Sequence, residues 1–351
     1  PLRDHREAEL VIYFVNHLAP LFDICDPDKH FASVVPERAA ICPALLNAVF
    51  AASAKHLSRV KNYDSLVAVA HHQECLKCIA PRLSNDIAVM DENLLAAIII
   101  LRFFEEVEVP IFEPDRQDHL LGIRALIEAQ LPSMSPNEFH QAAFWVGLRQ
   151  EVYMAVIHQR PIGLNLDRLT FDRSFSPAAD HVWANRMVLH LANVIQYCFG
   201  DDGNIATYKQ LVEYSAAWMA SKPPSFIPIF VEQPEGENMF PEVLLLSDSI
   251  VVGLQYYHLA RILLIAHNPK IPRLGPAQRT AIRLMDDEIK SDVRVLCGIA
   301  KSINRINPAY ATACMAIGLA GDRFTSRKEQ DALYNILVRT EKEYAWCTSL
   351  A

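Results

Sequence analysis

The chain has 351 residues, 51% of them hydrophobic, enough to bury a sizeable core in one large domain or two smaller ones. Its formal net charge is −8 and its 33 basic residues are scattered, so it carries no electrostatic footprint for nucleic acid. Eight cysteines in a chain of this length are too sparse for a disulfide scaffold and read as reduced thiols of an intracellular protein.

The opening "PLRDHREAEL" alternates charges and shows no secretory signal pattern, and its start at Pro1 rather than Met reads as a segment of a longer protein. Asp4 followed by Glu7 predicts the first helix, over 4–22, because a cap oxygen and an acid three residues on satisfy orphan amide donors. Pro43 stands where a first helical residue would, where its missing N–H loses nothing. Apolar spacings of three and four then predict helices over 43–59, 63–83, 92–107 and 116–130. The apolar run "LLAAIIIL" (94–101) stops at Arg102, too short to cross a bilayer.

Ser135 with Glu138, and Pro136 between them, predict a helix over 136–159; further helices are predicted over 180–199 and 204–220. "SKPPSFIPIFVEQPEGENMFP" (221–241) carries five prolines, but Phe226, Ile227, Ile229 and Phe230 argue against a free linker. An ordered strap packed on the helices is expected there, with a sub-domain boundary as the alternative. Pro241, Pro276, Pro308 and the Ser326–Glu329 box predict helices over 242–267, 276–304, 308–321 and 326–344. The expected class is all-α: one large multi-helix domain, orthogonal or antiparallel, over 1–351.

Several stretches invite a chemical reading. In "HHQECLKC" (71–78), His71, Cys75 and Cys78 share a helix face, which could begin a zinc site. No second Cys-x-x-Cys closes it, so two small core residues are the reading adopted. "DDGN" (201–204) and "DDEIKSD" (286–292) resemble aspartate-rich magnesium motifs, but Ile205 and Lys290 stand where a third carboxylate would be needed. They read as a turn and an exposed, charged helix face. Gly-x-Ser-x-Gly, phosphate-loop, dinucleotide and His-Glu-x-x-His patterns are absent, and no catalytic residue is assigned.

"FWVGLRQEVYMAVIHQRP" (144–161) places Trp145, Arg149 and Tyr153 four residues apart, so that one face can stack a guanidinium between two rings. A buried ionic network pinning the helix competes with polar anchors in an apolar ligand pocket. A second stripe, Trp183, Met187, His190, Val194 and Tyr197, reads as core with a hydrogen-bonded histidine, and His258 and Arg261 interrupt another apolar helix. Should these faces line a cavity, Trp145, Tyr153, Trp183 and Tyr197 supply surface, and Arg149, His190, His258 and Arg261 polar contacts.

The runs "ELVIYFVNHLAPLFDICDPDKHF", "CPALLNAVFAASAKHLSR", "ENLLAAIIILRFFEE", "QEVYMAVIHQRP", "WANRMVLHLANVIQYCFG", "YYHLARILLIAHNPKIPRLG" and "ACMAIGLAGDRFTSRKEQ", in this order, resemble the ARCA-like group. These are fungal regulators with a zinc binuclear cluster and a large helical fungal-specific transcription factor domain. The resemblance implies a nuclear, non-enzymatic regulatory region that controls transcription. Its expected partners are an apolar or aromatic small-molecule effector and, through protein contacts, a second copy or coregulators. DNA would be reached only through a six-cysteine N-terminal module not seen here; zinc is expected there and no cofactor in this chain, and no membrane contact is expected. A ligand-free dimerisation or coregulator module is the alternative, and a helical metal-dependent enzyme a third.

Overall fold

Asp4 caps the first helix by accepting from the Arg6 amide at 2.8 Å, and the chain then runs α1 (His5–Tyr13), a π-helical turn (Phe14–Leu18) and α2 (Ala19–Phe22). The computed structural model describes residues 2, 4–83, 91–107, 138–168, 170–201, 203–235, 238–272, 274–303 and 307–348. The expected helix over 116–130 and the Ser135–Glu138 start lie outside the described residues. Regular structure among the described residues is helical apart from one small antiparallel hairpin, so the all-α class holds.

Two compact units emerge. The first comprises Pro1–Gln150, Gly163–Leu169 and Glu341–Ser349. It contains α3 (His30–Ala39), α4 (Pro43–Val60), α5 (Ser65–Leu83), α6 (Glu92–Glu106) and the start of α7 (Glu138–Ile157). Helix α3 escapes the periodicity reading because Pro36 lies inside it; it starts instead on Asp23, whose carboxylate accepts from the Phe31 and Ala32 amides at 2.8 and 2.9 Å. Helix α4 packs on α5 and α6, and it buries Ala44, Ala48, Ala51 and Ala52, small residues that let backbones approach. Asp91 caps α6, and every residue from Leu94 to Phe104 is buried, as for a helix enclosed on all sides.

The second unit comprises Glu151–Ile162, Thr170–Thr340 and Leu350–Ala351. Its core is α8 (Asp180–Phe199), α9 (Ile205–Ser221), α10 (Asp248–Ala266), α11 (Gly275–Ser302) and α12 (Ala309–Ala320), followed by α13 (Arg327–Tyr344) as far as Thr340. By length and hydropathy α10 could cross a bilayer, yet 72% of that window is buried, and it packs on α8 and α11 as a core helix does. Glu329, expected to complete a capping box, instead accepts from the Arg294 guanidinium at 2.6 Å.

Two expectations for the proline-rich stretch need correction. Residues 242–244 are not helical: Glu242–Leu244 forms β2, which pairs with β1 (Phe230–Glu232), and α10 begins only after Ser247, which caps Ile250. The segment is pinned, but not by all of its apolar residues. Phe226 is fully buried, Pro241 sits against Gly298, and Val243 N–H donates to Ser302 Oγ at 2.9 Å. Ile227 and Ile229, which precede β1, are exposed, and so is Phe230, because the short hairpin leaves both faces of β1 outward.

Candidate functional site

The stretch "HHQECLKC" lies on α5. His71 Nδ1 is 3.0 Å from Asn47 Oδ1, its ring against Phe50, and the Cys75 thiol donates to the Ala44 carbonyl at 3.1 Å. Burial pushes Cys75 up to about 12, with Cys78 and Cys42 nearby adding to the effect. Asp26, Asp28 and His30 offer ligand atoms within 4.8 Å of one another, but Asp26 already accepts from the Asp28 and His30 backbone amides and lies 2.8 Å from His30 Nδ1. That geometry is the turn that starts α3.

On α7, Arg149 is buried and donates to the Phe22 carbonyl at 2.7 Å, and Gln150 donates to the Ile99 carbonyl at 3.1 Å. Both belong to the first unit, as does the half-buried Trp145, whose ring meets Phe144 edge-on. In the second unit, Arg160 clasps Glu151 through both guanidinium ends at 2.7 and 3.1 Å, while Tyr153 is half-buried. Buried polar anchoring of α7 is therefore real, made by carbonyls and one carboxylate.

On α10, His258 and Arg261 converge on Asp292 of α11: His258 Nδ1 lies 2.7 Å from Oδ1, and Arg261 Nε donates to Oδ2 at 3.1 Å. Asp292 is 4% exposed. The acidic stretch 286–292, read as an exposed face, thus turns its last carboxylate inward. Helix periodicity carries Asp292 five residues beyond Asp287 onto the stripe of Ile289 and Val293.

The most unusual environment lies on α8. Trp183, Met187, His190, Val194 and Tyr197 are all buried, as the stripe predicts, and Tyr197 tilts against Tyr208. His190 Nε2 lies 2.7 Å from Ser215 Oγ and its ring stacks on Tyr214. Burial pushes His190 down to about 3, the positive charge of Arg173 adding to the effect, so the imidazole is neutral at physiological pH. Arg186, which the stripe omitted, is 2% exposed, and its guanidinium carbon lies 4.9 Å from the centre of the Trp183 ring. A charged residue three positions after Trp183 and four before His190 was the signal available for it.

Segment 171–176 covers this part of α8. Arg186 Nη1 donates to the Ser176 carbonyl at 2.9 Å and Nη2 to Asp172 Oδ2 at 2.5 Å. Phe175 packs against Trp183 and Tyr214, and the Tyr214 hydroxyl donates to the Arg173 carbonyl at 3.2 Å. The Asp172 side chain is 56% exposed; the Ser174 amide, then Arg186, hold its carboxyl down to about 2. Arg186 Nε and Trp183 Nε1 are both buried and have no hydrogen-bond partner among the described residues. Elsewhere in this unit, a cleft of about 440 Å³ opens between the proline-rich segment and α11, lined by Pro234, Met239, Pro241, Val295, Arg294 and Glu329 among others. None of the eight residues singled out in the sequence lines it.

Residues 9–148 match the fungal specific transcription factor domain family. The resemblance read from the sequence thus holds for this region, which falls within the first unit. No curated protein and no solved structure matches the chain. The α8 environment lies outside the part matched to the fungal specific transcription factor domain, so its role has to be argued from its own geometry.

Proposed function

We propose that this chain is the regulatory part of a fungal transcription factor, without catalysis of its own, and that its second unit senses a small molecule at α8. One observation carries the reading: Trp183 Nε1 and Arg186 Nε, on two side chains stacked against each other, are buried donors with no acceptor among the described residues. A buried donor left unmatched loses about 1–3 kcal/mol of solvation, which an incoming acceptor recovers. Trp183, Phe175, Tyr214 and neutral His190 supply an aromatic surround, while His258 and Arg261 hold the neighbouring helices through Asp292. Binding acts by favouring one arrangement of segment 171–176 over another, which requires different affinities in the two states.

In this reading the protein works in the nucleus, and DNA is contacted by a zinc-cluster module elsewhere in a longer protein, to which the zinc belongs. The test is to fuse the chain to an unrelated DNA-binding domain and follow a reporter across carbon and nitrogen sources. Output that varies with nutrient in the wild type and is flattened by Trp183→Ala supports sensing. Constant output under every condition overturns it.

A second reading, a module that docks a second copy or a coregulator, is favoured by the hairpin. Ile227, Ile229, Phe230 and Val231 are 62%, 64%, 44% and 50% exposed, and Leu246 beside them 64%. Apolar side chains grouped in this way on a surface mark interaction sites. Sedimentation velocity of the wild type and of Phe230→Asp tests it: a wild-type dimer dissociated by the substitution supports docking of a second copy, and identical monomers exclude it.

A further inference from the structure

We infer that the ligand of the α8 site carries a carboxylate, which displaces Asp172 from Arg186; this rests on the sensing reading above. The edge of a guanidinium formed by Nε and Nη2 is a fork that fits both oxygens of a carboxylate. In Arg186 that edge is half used: Nη2 holds Asp172 Oδ2 at 2.5 Å while Nε holds nothing among the described residues. Asp172 is thus a one-toothed occupant of a two-toothed site. Its other oxygen, Oδ1, accepts from the Ser174 amide at 2.8 Å, which keeps it from turning to Nε.

Three further features fit a displaceable occupant. The guanidinium is buried and fixed by the Ser176 carbonyl, so it is preorganised, whereas the Asp172 side chain is 56% exposed and open to exchange. The N–H of Trp183, whose ring the guanidinium overlies, is a second unmatched donor for a ligand oxygen. Trp183 lies under the guanidinium and Phe175 packs on both Trp183 and Tyr214, so the favoured ligand is an aromatic or otherwise flat organic acid. Departure of Asp172 loosens segment 171–176, still tied through Phe175 and the Tyr214 hydroxyl, and this connects occupancy to a change in the surface.

The experiment measures binding of benzoate, benzamide and inorganic phosphate by calorimetry to the wild-type chain, Asp172→Ala, Arg186→Lys and Trp183→Phe, each checked for folding by circular dichroism. Removing the internal competitor is expected to tighten benzoate by roughly tenfold or more in Asp172→Ala. Trp183→Phe, which keeps the ring and drops the N–H, weakens it several-fold in the same background, and Arg186→Lys, which lacks the planar fork, abolishes it. Benzamide and phosphate do not bind. Benzoate binding no tighter in folded Asp172→Ala than in the wild type, or phosphate binding as well as benzoate, overturns the carboxylate fork. The sensing reading stands or falls separately: a nutrient-dependent reporter in a chain that ignores benzoate removes only the carboxylate, and a constant reporter in a chain that binds it removes only the sensing.

Discussion

The ring of Phe226 occupies the space that a side chain at Gly253 would need: a Cβ there would stand 2.7 Å from Phe226 Cε1. This contact seats the proline-rich segment on α10 and explains a glycine inside a 19-residue helix whose neighbours are Val252 and Leu254. Trp218 meets the same ring edge-on, so one aromatic anchor joins the segment to two helices.

Gly253→Ala is accordingly expected to destabilise the second unit by about 1–3 kcal/mol, the range of overpacking a filled core. Phe226→Ala removes a fully buried ring and is expected to lose about 3–5 kcal/mol. Urea unfolding of both single variants and of the double variant checks the contact. Strictly additive losses would show that the two residues do not meet.

The exposed residues of the same segment should behave differently. Phe230→Asp and Ile229→Asp are expected to change stability by less than about 0.5 kcal/mol, since neither side chain is buried. An unfolding midpoint that drops as far as that of Phe226→Ala would mean that the hairpin is part of the core.

Asp292 is the buried acceptor for both His258 and Arg261. Asp292→Ala leaves those donors without their carboxylate and is expected to destabilise by about 3–5 kcal/mol. Glu288→Ala, which removes a half-exposed partner 3.6 Å from Arg261, is expected to lose less than about 1 kcal/mol. Equal losses from the two would contradict the difference in burial.

His190 ties stability to pH. Its folded pKa, pushed down to about 3, lies below the ordinary 6.5, so the unfolded chain takes up a proton that the folded chain refuses. The stability contributed is present above pH 6.5 and is lost progressively as pH falls toward 3, at up to about 1.4 kcal/mol per pH unit. His56, pushed down to about 4, acts in the same sense, whereas Asp23, pushed up to about 7, acts in the opposite one. A comparison with His190→Gln isolates the effect: between pH 7 and pH 5 the variant should lose less stability than the wild type. Parallel pH profiles would show that His190 accepts a proton in the fold.

Cys75 is fully buried and its thiol is pushed up to about 12, while Cys78 is half-buried. Iodoacetamide treatment of the folded chain, read by peptide mass spectrometry, should label Cys78 well before Cys75. Equal labelling would mean that α5 opens readily.

Much of the helical plan was legible because it rests on local rules. The helix over 180–199 is found at those limits, and Pro43 begins α4 as its missing N–H predicts. Local rules failed where a distant partner intervened. Pro36 hid α3, which is started by the Asp23 carboxylate through the amides of Phe31 and Ala32. Pro241 resembles a helix start, but β1 and Ser302 claim residues 242–244 as a strand.

The candidate site divides along the same line. From its own order of residues, the chain determined that α8 would bury Trp183, His190 and Tyr197 on one face, because a 3.6-residue period places them there whatever surrounds the helix. Which polar groups find partners was decided only by tertiary structure. Periodicity assigns a side chain to a face but says nothing about the atom it will meet, and hydrogen bonds depend on that atom. Folding therefore gave Asp292 to His258 and Arg261, Ser215 to His190, and a single oxygen of Asp172 to the two-donor edge of Arg186.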